Sequence, residues 1–132
     1  MIRLVALPIS YSIDQGLVIA KVDGAADLAD VRAYLSTMRS DPAYHGVIGS
    51  LIDCRTVTNL LSTEELRTIA KERKSATTSS PRARTAMLAG SDVVFGVLRM
   101  YEAFSDGSNV VVRVFRNETE ARSWLLTGRK GP

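Results

Sequence analysis

The stretch from Val47 to Leu66 constrains the fold more than any other part of the chain, because it joins a buried strand to a capped helix. Val47–Asp53 is a largely apolar run that ends on an acid, which is typical of a strand inside a parallel sheet. After a short turn-rich link, Ser62 begins a helix that runs to about Lys74, and Glu65 occupies the second position of a capping box. This pattern predicts an α/β fold.

The same alternation of strand and helix continues on both sides of that stretch. Strands separated by helices imply parallel neighbours joined by right-handed crossovers, and an initial hairpin through Asp14-Gln15-Gly16 supplies one antiparallel strand. The sequence therefore predicts a five-stranded mixed, mainly parallel sheet with four helices. The predicted strands are Ile9–Ile13, Leu17–Val22, Val47–Asp53, Thr85–Ala89 and Asn109–Phe115. The predicted helices are Asp27–Arg39, Ser62–Lys74, one that carries Val94, Phe95, Leu98 and Tyr101, and one capped by Asn117.

The length of 132 residues and a composition that is 45% hydrophobic and 23% charged fit a single globular domain. We expect this domain to span residues 1–132, with an ordered core at about 5–127. No apolar run is long enough to cross a bilayer, and the apolar start is interrupted by Pro8. The single cysteine, Cys54, cannot form an internal disulfide, so the expected compartment is the cytoplasm.

The central segment resembles the core of STAS domains, the group that includes SpoIIAA-type anti-sigma factor antagonists. In that pattern a strand ends in Asp, a Val-Thr pair follows and a Ser opens the next helix; Asp53, Val57-Thr58 and Ser62 hold those places here. Further segments, Ala86–Gly96 and Arg113–Leu125, look like a less-studied SpoIIAA-like bacterial branch. The resemblance covers about Tyr11 to Leu125 and implies a SpoIIAA-like fold with a regulatory role.

The resemblance also implies a candidate phosphosite at Ser62 and Thr63. In the antagonists, a partner kinase phosphorylates the Ser at the helix start, and a helix N-terminus suits a phosphate. The same residue equally fits a plain N-cap, since Ser62 and Glu65 form a capping-box pattern. Glu64 and Glu65 would also repel an added phosphate. We expect the cap and keep the phosphosite as the alternative.

Polar residues at strand ends form a second candidate site. Asp53 ends a central strand, and Ser91 and Asp92 follow the next strand along the chain, where open α/β sheets place their ligands. The alternative is a purely structural role, in which Asp53 forms a turn and Ser91 caps a helix. Cys54 is expected to be a small buried residue, because His45 lies at the opposite end of the strand, about 20 Å away at ~3.3 Å per residue.

Neither the basic residues nor the tyrosines predict a binding site. Lys71, Arg73, Lys74, Arg82 and Arg84 cluster without interleaved aromatic residues, and the net charge is only +3. A nucleic-acid surface is therefore not expected, and the cluster is interpreted as a solvated helix end and loop. The four tyrosines, at positions 11, 34, 44 and 101, show no cofactor-like spacing and fit core or rim positions.

One face of the predicted sheet mixes apolar and basic residues, which predicts a dimer or protein-partner surface. Strands buried on both faces should be apolar throughout, so charges within them suggest that this face is only partly covered. An isologous dimer would place the apolar residues at its centre and the cations at its rim. The predicted surface consists of Leu17, Ile19, Lys21, Val111, Arg113 and Phe115.

No nucleophile, base and orienting group can be assembled from this sequence, and no cofactor or metal motif is present. The expected function is therefore a non-enzymatic regulatory module that binds a protein partner or a second copy of itself. The alternative is a carrier of a small apolar ligand or lipid, because CRAL-TRIO-type lipid binders have a related α/β layout.

Overall fold

One mixed sheet of six strands organises the chain, and the strands lie in the sheet in the same order as in the sequence. The computed structural model describes residues 2–6, 9–59, 61–76, 83–107 and 110–127. The first three strands pair antiparallel, and the last four form three parallel pairs. The strands are β1 (Ile2–Ala6), β2 (Ile9–Asp14), β3 (Leu17–Ala25), β4 (Gly49–Asn59), β5 (Ala83–Ala89) and β6 (Val110–Phe115).

The mainly parallel α/β architecture is confirmed, and all five predicted strands are present. The prediction of five strands in total was one too few, because β1 adds an antiparallel strand at the edge beside β2. β4 lies inside the sheet between β3 and β5, as its apolar sequence requires.

The hairpin between β2 and β3 turns on two residues with left-handed backbone conformations. Gln15 has φ 52° and Gly16 has φ 80°, and Asp14 pairs with Leu17 on either side of them. Two consecutive positive φ values match the type I′ turn, whose twist fits that of the flanking strands. The predicted hairpin is thereby confirmed.

β3 and β4 both extend beyond their predicted ends. The predicted strand ended at Val22, yet Gly24 pairs with Val57 at φ 78° and β3 continues to Ala25. The stretch after Asp53, predicted as a link, instead prolongs β4 to Asn59. The β-branched residues of this stretch suit a strand, and register shifts in the pairing with β3 accommodate the extension.

In the described ranges four helices connect the strands or follow them, each close to its predicted limits. They are α1 (Leu28–Ser40), α2 (Thr63–Ala76), α3 (Asp92–Phe104) and α4 (Glu118–Thr127). Side-chain caps fix where they begin: Asp27 accepts from the amide of Asp30, and Asn117 accepts from that of Glu120. A short 3₁₀ turn, Pro42–Gly46, leads from α1 towards β4. No helix in the described ranges is both long and apolar enough to cross a membrane.

The helices are divided unequally between the two faces of the sheet. α1, α2 and α3 pack on the face that carries Val18, Ala20 and Val112. α4 packs alone on the opposite face, where Ala121 and Leu125 contact the buried side chains of β3, β4 and β5. The sheet is therefore covered on both sides, and the two layers have separate cores.

Candidate functional site

An apolar cavity of about 120 Å³ lies between the sheet and the three helices α1, α2 and α3. Its floor includes small side chains, Ala20 of β3 and Cys54 of β4, which are both buried. α1 contributes Val31, Tyr34 and Leu35 from one side. The remaining lining residues, which come mainly from β4, α2 and α3, are Ile9, Val22, Ala26, Ile52, Val57, Asn59, Leu61, Leu66, Ile69, Arg73, Met87, Val94, Val97, Leu98 and Tyr101.

The helical period of α2 directs a cation into this cavity. Leu66, Ile69 and Ala70 form the buried stripe of the helix, and Arg73 follows Ile69 by four residues on the same face. The guanidinium donates to the Tyr101 hydroxyl at 2.9 Å and to Thr85 Oγ1 at 3.4 Å. Its Nε atom is inaccessible to solvent, although the residue as a whole is only partly buried. These contacts fix the cation at the end of the cavity near the amino ends of the strands, here called its inner end.

Tyr34 brings a second polar group into the same space. Its ring is 4% exposed and packs edge-to-face on Tyr11, with the centroids 5.8 Å apart. Within the part of the chain that the structure describes, its hydroxyl has no hydrogen-bond partner. Burial raises the pKa of Tyr34 far above its usual value, against the opposing charge of Arg73, so the hydroxyl stays neutral. Leaving such a buried donor unsatisfied costs about 1–3 kcal/mol.

The cavity extends to the carboxyl ends of the parallel strands. Ala26, Val57, Asn59 and Leu61 line it there, at or just beyond the ends of β3 and β4. α2 starts at this edge and runs back along the sheet, so Arg73 lies about 15 Å further along the helix at 1.5 Å rise per residue. Apolar side chains and the neutral Asn59 therefore line the carboxyl end of the cavity, and the Arg73 cation lies towards its other end.

The candidate phosphosite at Ser62 and Thr63 is exposed at the start of α2. Ser62 and Glu65 form the reciprocal capping box: the Ser62 amide donates to Glu65 Oε1 at 2.9 Å, and the Glu65 amide donates to Ser62 Oγ at 3.2 Å. The structure thus supports the N-cap interpretation. Phosphorylation stays a prediction, which phosphopeptide mapping would test.

The polar residues predicted at the strand ends do not converge on one site. The Asp53 carboxylate accepts from Nε and Nη2 of Arg55, which also pairs with Glu118 of α4 at 3.0 Å. These hydrogen bonds from Arg55 hold the pKa of Asp53 below its usual range. Ser91 caps α3 by accepting from an amide of its first turn, as the cap interpretation predicted. Asp92 pairs with Arg116 at 2.8 Å.

The thiol of Cys54 lies beneath the cavity and not beside a base. Its burial, and secondarily the charge of Asp53, raise the pKa of Cys54 to about 12. The residue is 6% exposed, which confirms that it is a small buried side chain. The side chain of His45 lies outside the described residues. Among the residues described, no cluster of three His, Cys, Asp or Glu side chains could hold a metal ion.

The basic cluster does not form one solvated surface, which corrects the interpretation from the sequence. Arg73 points into the cavity, whereas Arg84 lies on the opposite face of the sheet, donating to the Trp124 carbonyl at 2.7 Å and stacking over its ring. Lys71 and Lys74 are exposed, and Arg82 lies outside the described residues. The separation of these cations argues against a nucleic-acid surface.

The predicted dimer surface is covered more than its sequence suggested. α4 packs on it, so that Leu17 is 4% exposed and Phe115 contacts Trp124 with the ring centroids 5.6 Å apart. Ile19 and Val111 are only partly buried, and Lys21 and Arg113 are exposed. This face is therefore only partly covered, as expected, but the C-terminal helix supplies apolar contacts that a second copy was expected to supply. A dimer through the remaining surface stays a prediction.

No family model matches the chain, and no curated protein matches it in sequence. Among solved structures, the chain is similar to an uncharacterised protein of the DUF3478 family with a SpoIIAA-like fold from Shewanella loihica PV-4. The two are 18% identical with a TM-score of 0.61, and the match covers 89% of this chain and 93% of that one. The chain therefore has the SpoIIAA-like fold that its central segment predicted.

Proposed function

We propose that this protein is a non-enzymatic binding protein that holds a small apolar ligand in the cavity between the sheet and α1–α3. The cavity itself is the observation that carries the proposal: it is lined almost entirely by apolar side chains and extends to the carboxyl ends of the strands. Ligand sites in open α/β sheets are found at this edge.

The volume of the cavity indicates the size of the ligand that it could hold. Apolar cavities of about 150 Å³ stay dry and bind benzene. We therefore expect the apolar part of the ligand to be about the size of a benzene ring.

The protonation state and the pairing of the side chains nearest the cavity favour binding over catalysis. A thiol as strongly perturbed as that of Cys54 contains almost no thiolate at neutral pH, so it is a poor nucleophile. The Asp53 carboxylate is held by Arg55 and is not positioned as a base beside it. These features support a carrier or sensor of a ligand.

The test is titration of the purified protein with small aromatic probes such as benzyl alcohol and benzamide, followed by methyl NMR. We expect saturable shifts at cavity methyl groups, including those of Val22 and Ile52. Ala20→Leu fills the cavity from its floor and should abolish the shifts. Ile19→Leu, on the opposite face of β3, is the matched control and should leave them unchanged. If the wild-type protein shows no saturable methyl shifts with these probes, the proposed function is wrong.

A second candidate function is a regulatory module that binds a protein partner or a second copy of this chain. It is supported by the SpoIIAA-like fold and by the edge of the α4 face, where Ile19 and Val111 are partly buried beside exposed Lys21 and Arg113. Light scattering at high micromolar concentration tests the homodimer: Ile19→Glu should then yield a folded monomer, while Lys71→Ala should not change the mass. A monomeric wild type would exclude self-association.

A further inference from the structure

We propose that the cavity selects ligands with a carboxylate head, which is bound at the inner end by Arg73 and Tyr34. This inference rests on the proposed binding function and adds the chemical class of the ligand. Two independent observations point to it: a cation fixed at the inner end of an apolar cavity, and a buried hydroxyl donor that lacks an acceptor among the described residues.

Arg73 supplies the charge and the geometry for such a head. Its planar guanidinium matches a carboxylate better than any other side chain does, because its N–H groups can donate to both oxygens. The hydroxyls of Tyr101 and Thr85 accept hydrogen bonds from the guanidinium and help to position it. An incoming anion would thus meet a cation that is already oriented.

Tyr34 supplies the second contact. It lines the same cavity as Arg73. A tyrosine hydroxyl can donate one hydrogen bond and can also accept, and the Tyr34 hydroxyl has neither kind of partner among the described residues. A carboxylate oxygen would accept the Tyr34 proton, and the Arg73 cation in the same cavity would favour its negative charge.

The position of Arg73 along the cavity sets the orientation of the ligand. Arg73 lies near the end of α2, whereas Ala26, Val57 and Leu61 at the carboxyl ends of the strands are apolar and Asn59 there is neutral. The carboxylate would therefore lie at the inner end, with the apolar part of the ligand towards the carboxyl ends of the strands. Given the volume of about 120 Å³, short or single-ring carboxylates should fit, and long acyl chains should protrude.

The experiment compares benzoate with its neutral isostere benzamide by calorimetry and methyl NMR. The wild type should bind benzoate at least tenfold more tightly than benzamide. Arg73→Met keeps the apolar stem and should abolish this preference while retaining benzamide binding. Lys74→Met, the adjacent exposed cation of α2, is the control and should leave both affinities unchanged.

Tyr34→Phe provides a second variant that does not remove the cation. It should weaken benzoate binding severalfold and, because it deletes an unsatisfied donor, should raise the melting temperature of the unliganded protein. A purely structural role for the hydroxyl would lower that temperature instead. If Arg73→Met does not fold, Arg73→Lys should fold and bind benzoate more weakly than the wild type.

The outcomes separate this inference from the function on which it rests. Equal affinities for benzoate and benzamide, or binding of benzamide alone, would overturn the carboxylate head and leave the apolar-ligand function standing. Failure of both probes to bind would overturn both. Unchanged benzoate affinity in the Tyr34→Phe protein would overturn the assigned tyrosine contact.

Discussion

The two faces of the sheet differ in how closely the helices pack on them. α4 covers its face alone, and it does so closely because small residues lie beneath it: Gly49 and Ala86 on the sheet, and Ala121 on the helix. The other face has three helices and still encloses a cavity with a cation at its inner end. Packing density thus depends on the size and fit of the facing side chains and not on the number of helices. The loosely filled face is the one suited to bind a ligand.

The largest expected effect comes from removing an apolar side chain on the tightly packed face. Leu125→Ala should lower the free energy of unfolding by about 2–5 kcal/mol, because Leu125 is 2% exposed and α4 has little freedom to close the gap. Urea denaturation measures the change. Leu126→Ala, on the exposed side of the same helix, should change it by less than about 0.5 kcal/mol. Similar losses for both variants would mean that α4 is not firmly packed.

Two glycine substitutions should change the free energy of unfolding in opposite directions. A Cβ at Gly49 would lie 2.8 Å from the Arg84 carbonyl oxygen and 3.2 Å from Leu125, so Gly49→Ala should lower the free energy of unfolding by about 1–3 kcal/mol. Gly96 lies in α3 with nothing within 4 Å of such a Cβ, so Gly96→Ala should raise that free energy by roughly 1 kcal/mol. Thermal unfolding distinguishes the two, and a neutral Gly49→Ala would contradict the close approach of α4.

A pair of alanines tests the contrast between the faces most directly. Ala20 and Ala86 are both buried strand residues, but Ala20 lines the cavity and Ala86 lies beneath α4. Ala86→Val should lower the free energy of unfolding by about 1–3 kcal/mol through overpacking. Ala20→Val should raise it by roughly 1 kcal/mol by filling space. Equal destabilisation in denaturant titrations would show that the cavity cannot accept two further methyl groups.

The smallest effect concerns the ion pair between Asp53 and Arg55. Because the pKa of Asp53 is lowered in the folded protein, its contribution to stability is present above the unfolded value of about 3.9 and is lost as the pH falls through the lower folded value. Since the pair is partly exposed, this contribution should be under 1 kcal/mol. Asp53→Asn should flatten the acid limb of the stability curve slightly. An unchanged acid limb would mean that solvent screens the pair completely.

Much of the fold could be predicted from periodicity and caps. The β2–β3 hairpin, the central position of β4 and the capping box at Ser62 all follow from local rules, which the structure obeys. The edge strand β1 was not predicted, because its short apolar run ends close to Pro8 and gives no local sign of the β2 strand with which it pairs. Strand pairing is a long-range property, so a short apolar run does not reveal its partner.

The candidate site was predicted less well than the fold. Arg73 continues the buried stripe of α2. Tyr34 lies between Val31 and Met38 on the buried stripe of α1. The helical period therefore indicated that both side chains face the sheet. The period alone cannot show that the two stripes face one cavity, because this depends on how far apart the helices are held. The Tyr101 contact likewise requires α3 to be placed beside α2.

The sheet order has a consequence for how the protein is made. Because the strands lie side by side in the order of synthesis, each strand leaving the ribosome finds its partner already formed, starting from the β2–β3 hairpin. Each parallel pair joins strands that follow one another in the described sequence, which keeps contact order lower than in a parallel sheet whose neighbouring strands are far apart in the chain. α4 emerges after the six described strands and covers the second face. Until it does, we expect the apolar side chains beneath it to be exposed on the nascent chain, where aggregation can compete with folding.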